Sequence, residues 1–420
     1  MTKQKYTFPK RFLWGASTSS HQVEGSNYNQ WSEWEDTNAL SLSKKAIYRL
    51  DETPVWDDIK SQAIERDNYI SGKAVDHYNR YEKDFDILNQ LNMNSYRFSI
   101  EWSRLEPREG EWDQKEIDHY HRYFEALKKR KITPVVTLFH WTTPVWFAEK
   151  DGFERKANVD YFVRFARKVF AEYGAHLRLV CTLNEPEIYV GKGWLDEDAW
   201  PPAKHGSRIG AIKTSLNLIS AHKQVFAAAR SSSRRIKIGI ANNVSNYYAA
   251  DDSLKTKSAM KLKRYISDDL FVDRIKKHVD WIGVNYYFSN KYLNGKEQNE
   301  NKRVNDLGWE MLPDNIEHVI MRQWQRYKKP IIITENGVAD QGDQYRKWWI
   351  AHTIDAIHSA MKRGARVEGY LHWSLLDNFE WSYGKWPRFG LVAVDYKTME
   401  RTIRPSAAWF GKVVGNLRKG

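Results

Sequence analysis

Eight short apolar or β-branched runs alternate with amphipathic stretches along this chain, and that alternation constrains the fold more than any single motif. The runs fall at about 12–18, 95–102, 133–141, 177–185, 236–241, 279–287, 330–336 and 367–375. Between them, segments such as 78–91, 116–127, 161–173, 212–229 and 348–361 repeat apolar residues with helical periodicity. A last helix is predicted after Pro405, a residue suited to a first turn. About eight strands alternating with about eight helices predict a closed parallel (β/α)8 TIM barrel of the α/β class rather than an open sheet. A chain of 420 residues would ordinarily hold two or three domains, but such barrels use this length as one. No Gly/Ser/Pro linker divides the sequence, so residues 1–420 are read as a single catalytic domain.

Charge and composition exclude several classes of function. The net charge of +13 raises the question of an anionic partner, yet the basic residues are dispersed. The densest cluster, Lys128 to Lys131, closes a predicted helix, where cations complement the helix dipole. Nucleic acid is therefore not expected as a partner. No apolar stretch is long enough to span a membrane. Residues 1–9 show no apolar signal region, and Cys181 is the one cysteine, so no intrachain disulfide can form and a cytoplasmic location is expected. The oligomeric state is not legible. The 19 Trp exceed what a soluble core needs, since each buried indole N–H requires a partner. Sugar stacking in a cleft and ordinary packing both remain open as explanations.

Polar residues gather at the C-terminal ends of the predicted strands: Arg97, His140, Asn184, Glu185, Asn285, Tyr287, Glu335 and Trp373. Barrels of this type build their sites at that face from several strand ends at once. Two of these residues are carboxylates following apolar runs, Glu185 in Thr182-Leu183-Asn184-Glu185-Pro186 and Glu335 in Ile331 to Gly337. Paired carboxylates across a cleft are the equipment for cleaving a glycosidic bond, one protonating the leaving oxygen and the other acting at the sugar carbon. Asn184 could hold a sugar hydroxyl beside the acid. A nucleophilic carboxylate must stay ionised, for which Arg97 is a candidate cation and Tyr287 a candidate hydrogen-bond donor. Taken singly, each has a plainer reading: a helix-starting Glu, a surface turn, a surface ion pair, aromatic packing.

An ordered set of motifs removes that ambiguity. Phe12 to Thr18 is followed by His21-Gln22-Val23-Glu24-Gly25, Tyr96 to Ile100, Phe139-His140-Trp141, Asn184-Glu185-Pro186, Asn285-Tyr286-Tyr287 and Thr334 to Gly337. Trp373 to Trp381, Arg388-Phe389-Gly390-Leu391 and Val394-Asp395 complete it. From about residue 8 to about residue 412 the chain closely resembles glycoside hydrolase family 1, the β-glucosidase family. The resemblance implies Glu185 as acid/base and Glu335 as nucleophile. It implies that Gln22, His140, Trp141, Asn184, Glu380 and Trp381 hold the sugar being cleaved, that Trp373 is a platform near the bond with Phe389 beside it, and that Arg97, Asn285 and Tyr287 tune and orient the carboxylates.

The activity so implied is hydrolysis of terminal β-linked glucosyl residues with retention, with β-galactosides or β-fucosides also accepted. The substrate would be a β-linked oligosaccharide or an aryl or alkyl β-glycoside. No metal or organic cofactor is expected. A transglycosylase using the same intermediate and a catalytically inactive sugar-binding protein are the alternatives. Glu185 argues against the family's thioglucosidases, which carry Gln there, and Glu380-Trp381 against its 6-phosphosugar enzymes. Departures from the family pattern at His21, Thr142-Thr143 and His372, and a length on the short side for the family, leave the implied chemistry intact but leave the leaving-group side and the depth of the pocket open.

Overall fold

The computed structural model describes residues 6–197 and 200–419. Eight strands form the barrel: β1 (Leu13–Ser17), β2 (Ser95–Ser99), β3 (Thr133–Phe139), β4 (Leu179–Asn184), β5 (Lys237–Asn243), β6 (Trp281–Asn285), β7 (Ile331–Glu335) and β8 (Val367–Trp373). Each pairs in parallel with its sequence neighbours, and β1 closes the ring by pairing with both β2 and β8. At the closure Ser17 lies beside Arg97 on one side and Trp373 on the other. These strands read as near-continuous apolar runs because both their faces are covered, by the barrel interior on one side and by helices on the other.

Two apolar layers follow from that arrangement. Inside the barrel, Val135, Cys181, Ala241, Trp281, Ile332 and Leu371 pack into a plug beneath the C-terminal face. Trp281 occupies the space a side chain at Gly239 would need, since a Cβ there would lie 2.3 Å from the indole. Outside, the helices His77–Gln90, Gln114–Lys129, Val159–Tyr173, Arg208–Ser232, Arg346–Lys362 and Pro405–Lys419 stand where the periodicity predicts them. One core runs from Phe8 to Val414 between these helices and the strands.

The helix Gln30–Arg49 was not foreseen from periodicity, and its buried positions show why. They are Gln30, Trp31, Glu35, Ala39, Ser43 and Ala46, a helical stripe whose members are largely polar or small. Its start is fixed instead by a capping box, with Asn29 accepting from the backbone of Trp31 and Ser32 while Ser32 reaches back. Outside the barrel, Asn246–Ala249, Ser289–Leu293 and Lys296–Glu297 form a small three-stranded sheet. Among the described residues no helix is long and apolar enough to cross a membrane.

Candidate active site

The site begins with Arg97, a wholly buried cation projecting from β2 into the mouth of the barrel. An unpaired buried charge would be costly, so its guanidinium must be satisfied. Its Nε donates to Thr137 Oγ1 at 3.1 Å, Nη1 to Glu335 Oε1 at 2.5 Å and Nη2 to Asn184 Oδ1 at 2.7 Å. One side chain therefore ties β2 to β3, β7 and β4 at the level where the apolar plug ends.

The amides around it are then fixed in orientation. Thr334 Oγ1 donates to Asn285 Oδ1 at 2.6 Å, which turns Asn285 Nδ2 toward Glu185 Oε1 at 2.7 Å and Asn184 Oδ1 at 3.1 Å. With its oxygen occupied by Arg97 and Asn285, Asn184 directs Nδ2 at His140 Nε2, 3.2 Å away. His140 must accept there, so its proton sits on Nδ1. Burial, and then the charge of Arg97, hold this imidazole well below its ordinary pKa, so the ring is neutral. Its Nδ1–H has no protein partner. The result is a buried donor on a ring that lines the cavity.

The two carboxylates differ in what surrounds them. Glu335 ends β7 and is held by Arg97 and by the Tyr287 hydroxyl at 2.7 Å. Burial raises its carboxyl, and Arg97 and Tyr287 pull it back. Glu185 follows β4 and accepts from the Asn285 amide rather than from a cation. Burial, and then the negative charge of Glu335, raise it to about 8. When the pair carries one proton, that proton therefore resides on Glu185. Glu185 also has φ of +41°, a left-handed backbone that is uncommon away from glycine, as do Trp141 at +71° and Trp381 at +50°. Strain of this kind persists where neighbouring structure fixes a residue, and it clusters at functional sites.

The remaining predicted residues complete one cavity of about 330 Å³. His140, Trp141, Glu185, Tyr287, Glu335, Trp373, Glu380, Trp381 and Phe389 line it. Gln22, Arg97, Asn184 and Asn285 form the fully buried layer that supports this lining. Gln22 Nε2 donates to Phe379 O at 2.8 Å and to Glu380 Oε2 at 3.2 Å, and Asn378 Nδ2 adds a second bond to that oxygen at 3.0 Å. Burial lifts the Glu380 carboxyl to about 7. The chain after β7 passes so close to β8 that a Cβ on Gly337 would lie 1.7 Å from the Trp373 carbonyl oxygen, so glycine is required there. Among the described residues no three of His, Cys, Asp and Glu are grouped as a metal ion would need.

The residues that depart from the family pattern stand behind the cavity rather than in its lining. His21, Thr142, Thr143 and His372 do not line the cavity; all four are buried. His21 bonds Glu35 at 2.6 Å and stacks under Trp381, with ring centroids 5.6 Å apart and planes 13° from parallel. Thr142 donates to Glu101 at 3.0 Å, Thr143 to Gln30, and His372 faces the Tyr370 hydroxyl at 3.1 Å. They alter the support of the site rather than its walls.

The walls contain residues that motif reading missed, among them Trp200, Phe288, Trp309, Tyr383 and Asn243. Most come from loops, where no periodicity marks them. The Trp surplus was a partial signal: Trp141, Trp200, Trp309, Trp373 and Trp381 line the cavity. Others, including Trp14, Trp102, Trp281 and Trp349, are core residues. Both explanations of the surplus therefore apply, to different indoles.

Comparison with known proteins agrees with this geometry. The sequence profile of glycosyl hydrolase family 1 matches residues 4–277 and 269–418. Beta-glucosidase A of Acetivibrio thermocellus is 29% identical, with 98% of this chain and 99% of that protein aligned. The 1,4-beta-D-glucan glucohydrolase of Thermotoga neapolitana is 30% identical over 97% and 98%. Among solved structures, the beta-glycosidase from Pyrococcus horikoshii superposes with a TM-score of 0.85 at 32% identity, covering 97% of this chain and 95% of that one. The beta-glucosidase from Thermotoga maritima in complex with glucoimidazole gives 0.86 at 27%, over 98% and 99%. With its barrel, its paired carboxylates and a profile match over nearly its whole length, this chain belongs to glycosyl hydrolase family 1.

Proposed function

We propose that this protein is a retaining β-glucosidase that releases terminal β-D-glucosyl residues through a covalent glycosyl-enzyme. The observation that carries the reading is the asymmetry of the two carboxylates: Glu335 rests on Arg97, whereas Glu185 rests on an amide and is pushed up to about 8. Glu335 is thereby the nucleophile and Glu185 the acid. In the first step Glu335 attacks the anomeric carbon as the bond to the leaving oxygen breaks, and that oxygen takes the Glu185 proton. In the second, Glu185, now ionised, removes a proton from water, which attacks the same carbon and displaces Glu335. Two inversions give net retention.

The lining supplies the contacts that hold the sugar. His140 Nδ1–H, Glu380 and the Trp141 and Trp381 rings face the sugar being cleaved, backed by Gln22 and Asn184. Trp373 and Phe389 flank the scissile bond. Relatives support glucose as the favoured sugar, and the beta-galactosidase of Sulfolobus acidocaldarius, 28% identical, supports galactosides as a second class. One core from Phe8 to Val414 supports reading the chain as one catalytic domain, and the lone buried thiol of Cys181 suits a cytoplasmic setting.

Initial rates on p-nitrophenyl β-glucoside, galactoside, fucoside, mannoside and xyloside test the reading. Glucoside turnover is expected to lead, with galactoside or fucoside following. No turnover of any of them would leave a sugar-binding protein. Transfer to an added alcohol in preference to water would leave a transglycosylase.

A further inference from the structure

Seven of the thirteen large apolar side chains that stand exposed among the described residues fall on two helices, so the exposure is concentrated rather than scattered. Leu254, Leu262, Tyr265 and Ile266 lie on the helix Leu254–Arg264 and the π-helical turn Tyr265–Asp269 that continues it, at positions i, i+8, i+11 and i+12. Ile209, Ile212 and Leu216 lie at i, i+3 and i+7 of the helix Arg208–Ser232. Such spacings keep each set on one helical face. Leu254 is 83% exposed and Ile209 71%. The inner side of the first helix is already used. Thr256 is buried there, and its hydroxyl accepts from the Gly295 N–H of the small sheet at 2.9 Å and donates to Asp251 at 2.8 Å. The apolar stripe is thereby turned away from the protein. The helix Arg208–Ser232 packs against Leu270–Ile275, into which the first helix runs, so the two stripes belong to neighbouring parts of the outer wall.

The charges beside the stripes are of one sign. Neither helix contains an Asp or a Glu, and five cations fall between Ser253 and Ser267. Lys257 is paired with Asp252 at 2.7 Å and Arg264 lies 4.0 Å from Asp269, but Lys255, Lys261 and Lys263 are exposed and form no ion pair among the described residues. Arg208 and Lys213 are exposed beside the second stripe. Few occupants satisfy both features. A second copy of this chain would bring the same cations face to face. A nucleic acid would match the lysines and leave the leucines and isoleucines in water. A bilayer surface carrying anionic lipids offers both partners, an acyl boundary for the aliphatic tips and a layer of phosphates for the lysines beside them.

We propose that this face docks the protein reversibly on an anionic lipid bilayer. Leu254, Leu262 and Ile266 enter the boundary between headgroups and acyl chains, Lys255, Lys261 and Lys263 meet the lipid phosphates, and the second stripe widens the contact. The helix lies along the surface and does not cross it, in keeping with its length and charge. Neither attraction is sufficient alone: a few aliphatic side chains give a weak, reversible hold, and the lysines add to it only where the surface is negative.

The test is co-sedimentation of the full chain with vesicles of phosphatidylcholine alone and of phosphatidylcholine with about one third phosphatidylglycerol, in about 0.1 M and about 0.5 M salt. The wild type is expected to bind the anionic vesicles at the lower salt at least tenfold more tightly than the neutral ones, and to lose most of that advantage at the higher salt. Lys255→Gln/Lys261→Gln should weaken anionic binding by about fivefold for each lysine, roughly twentyfold or more together. Leu262→Ser/Ile266→Ser should weaken it by about tenfold or more. All four positions are on the surface and outside the catalytic cavity, so both variants should keep the wild-type melting temperature and rate on p-nitrophenyl β-glucoside without lipid. No sedimentation of the wild type with anionic vesicles, equal binding to both kinds, or binding that neither variant weakens would overturn the proposal. A dimer in size-exclusion chromatography that Leu262→Ser/Ile266→Ser converts to monomer would assign the face to a second copy and overturn it too. Vesicle binding needs no turnover, so its outcome stands apart from that of the glucosidase reading.

Discussion

Replacing Glu185 with Gln preserves the shape of the side chain and removes the proton it would deliver. In the wild type its carboxyl rises from 4.5 to about 8, a shift equivalent to roughly 5 kcal/mol in favour of the protonated form. At pH 6 the group is thus held protonated, and the amide of the variant has no comparable proton to give. General acid catalysis contributes about 10²–10⁴-fold, or roughly 3–5 kcal/mol. For cellobiose, whose leaving alcohol needs that proton, kcat/KM should fall by this full factor. For 2,4-dinitrophenyl β-glucoside, whose leaving group departs as an anion, the fall should stay within about tenfold, since the nucleophile and its support are untouched. The basic limb of the kcat/KM profile, set near pH 8 by Glu185, should flatten for the aryl substrate. The same substitution changes stability in a defined direction. A carboxyl raised on folding binds more protons in the native state between about pH 4.5 and 8, so the wild type loses stability as pH rises through that window. The variant does not titrate there, and its melting temperature relative to wild type should climb from pH 5 to pH 8. Equal losses on the two substrates would refute the acid assignment.

Other substitutions test other parts of the site. Arg97→Met removes the cation from Glu335 and leaves Asn184 Oδ1 without its strongest donor; it should destabilise the fold by about 3–5 kcal/mol and move the acid limb of the pH profile upward, and an unmoved limb would remove Arg97 from the account. Glu380 ionises near pH 7 within the cavity, so above that pH p-nitrophenyl glucoside 6-phosphate should react about a hundredfold or more slowly than the unphosphorylated glucoside, and a preference for the phosphate would displace Glu380 from the sugar site. Gly337→Ala forces a Cβ against the Trp373 carbonyl and should lower the melting temperature and the turnover together, by about 1–3 kcal/mol or more of overpacking; an unchanged melt would contradict the close approach of the two chain segments.

The barrel was legible because its strands are covered on both faces. Several read as apolar runs that stop where the apolar plug stops, at His140, Asn184, Glu335 and Trp373, so the end of the pattern marks the level of the site. Arg97, His140, Asn184, Glu185, Asn285, Tyr287, Glu335 and Trp373 were legible as residues gathered near the strand ends, whereas Gln22, Trp141, Glu380, Trp381 and Phe389 were legible only through the family resemblance. Three things were not. The helix Gln30–Arg49 is specified by a cap and a polar stripe, which carry no hydrophobic period. The outer walls, Trp200, Phe288, Trp309 and Tyr383, come largely from segments between barrel strands, whose spatial neighbours a linear pattern does not reveal. The supporting positions of His21, Thr142 and His372 were the third, because adjacency in sequence to Gln22, Trp141 and Trp373 does not say which way a side chain turns. His372 alternates with Trp373 along β8, so it turns to the outer face with Tyr370, which packs on Phe410, while Trp373 turns to the cavity.

The paired-carboxylate mechanism is tested most directly by the anomeric form of the first sugar released. Proton NMR during early turnover of p-nitrophenyl β-glucoside resolves the two anomers before they equilibrate. With Glu335 as nucleophile and Glu185 as acid and then base, the first signal should be β-glucose, with the α anomer growing later at the rate of spontaneous mutarotation. Initial release of α-glucose would mean a single displacement by water, and would contradict the assignment of Glu335.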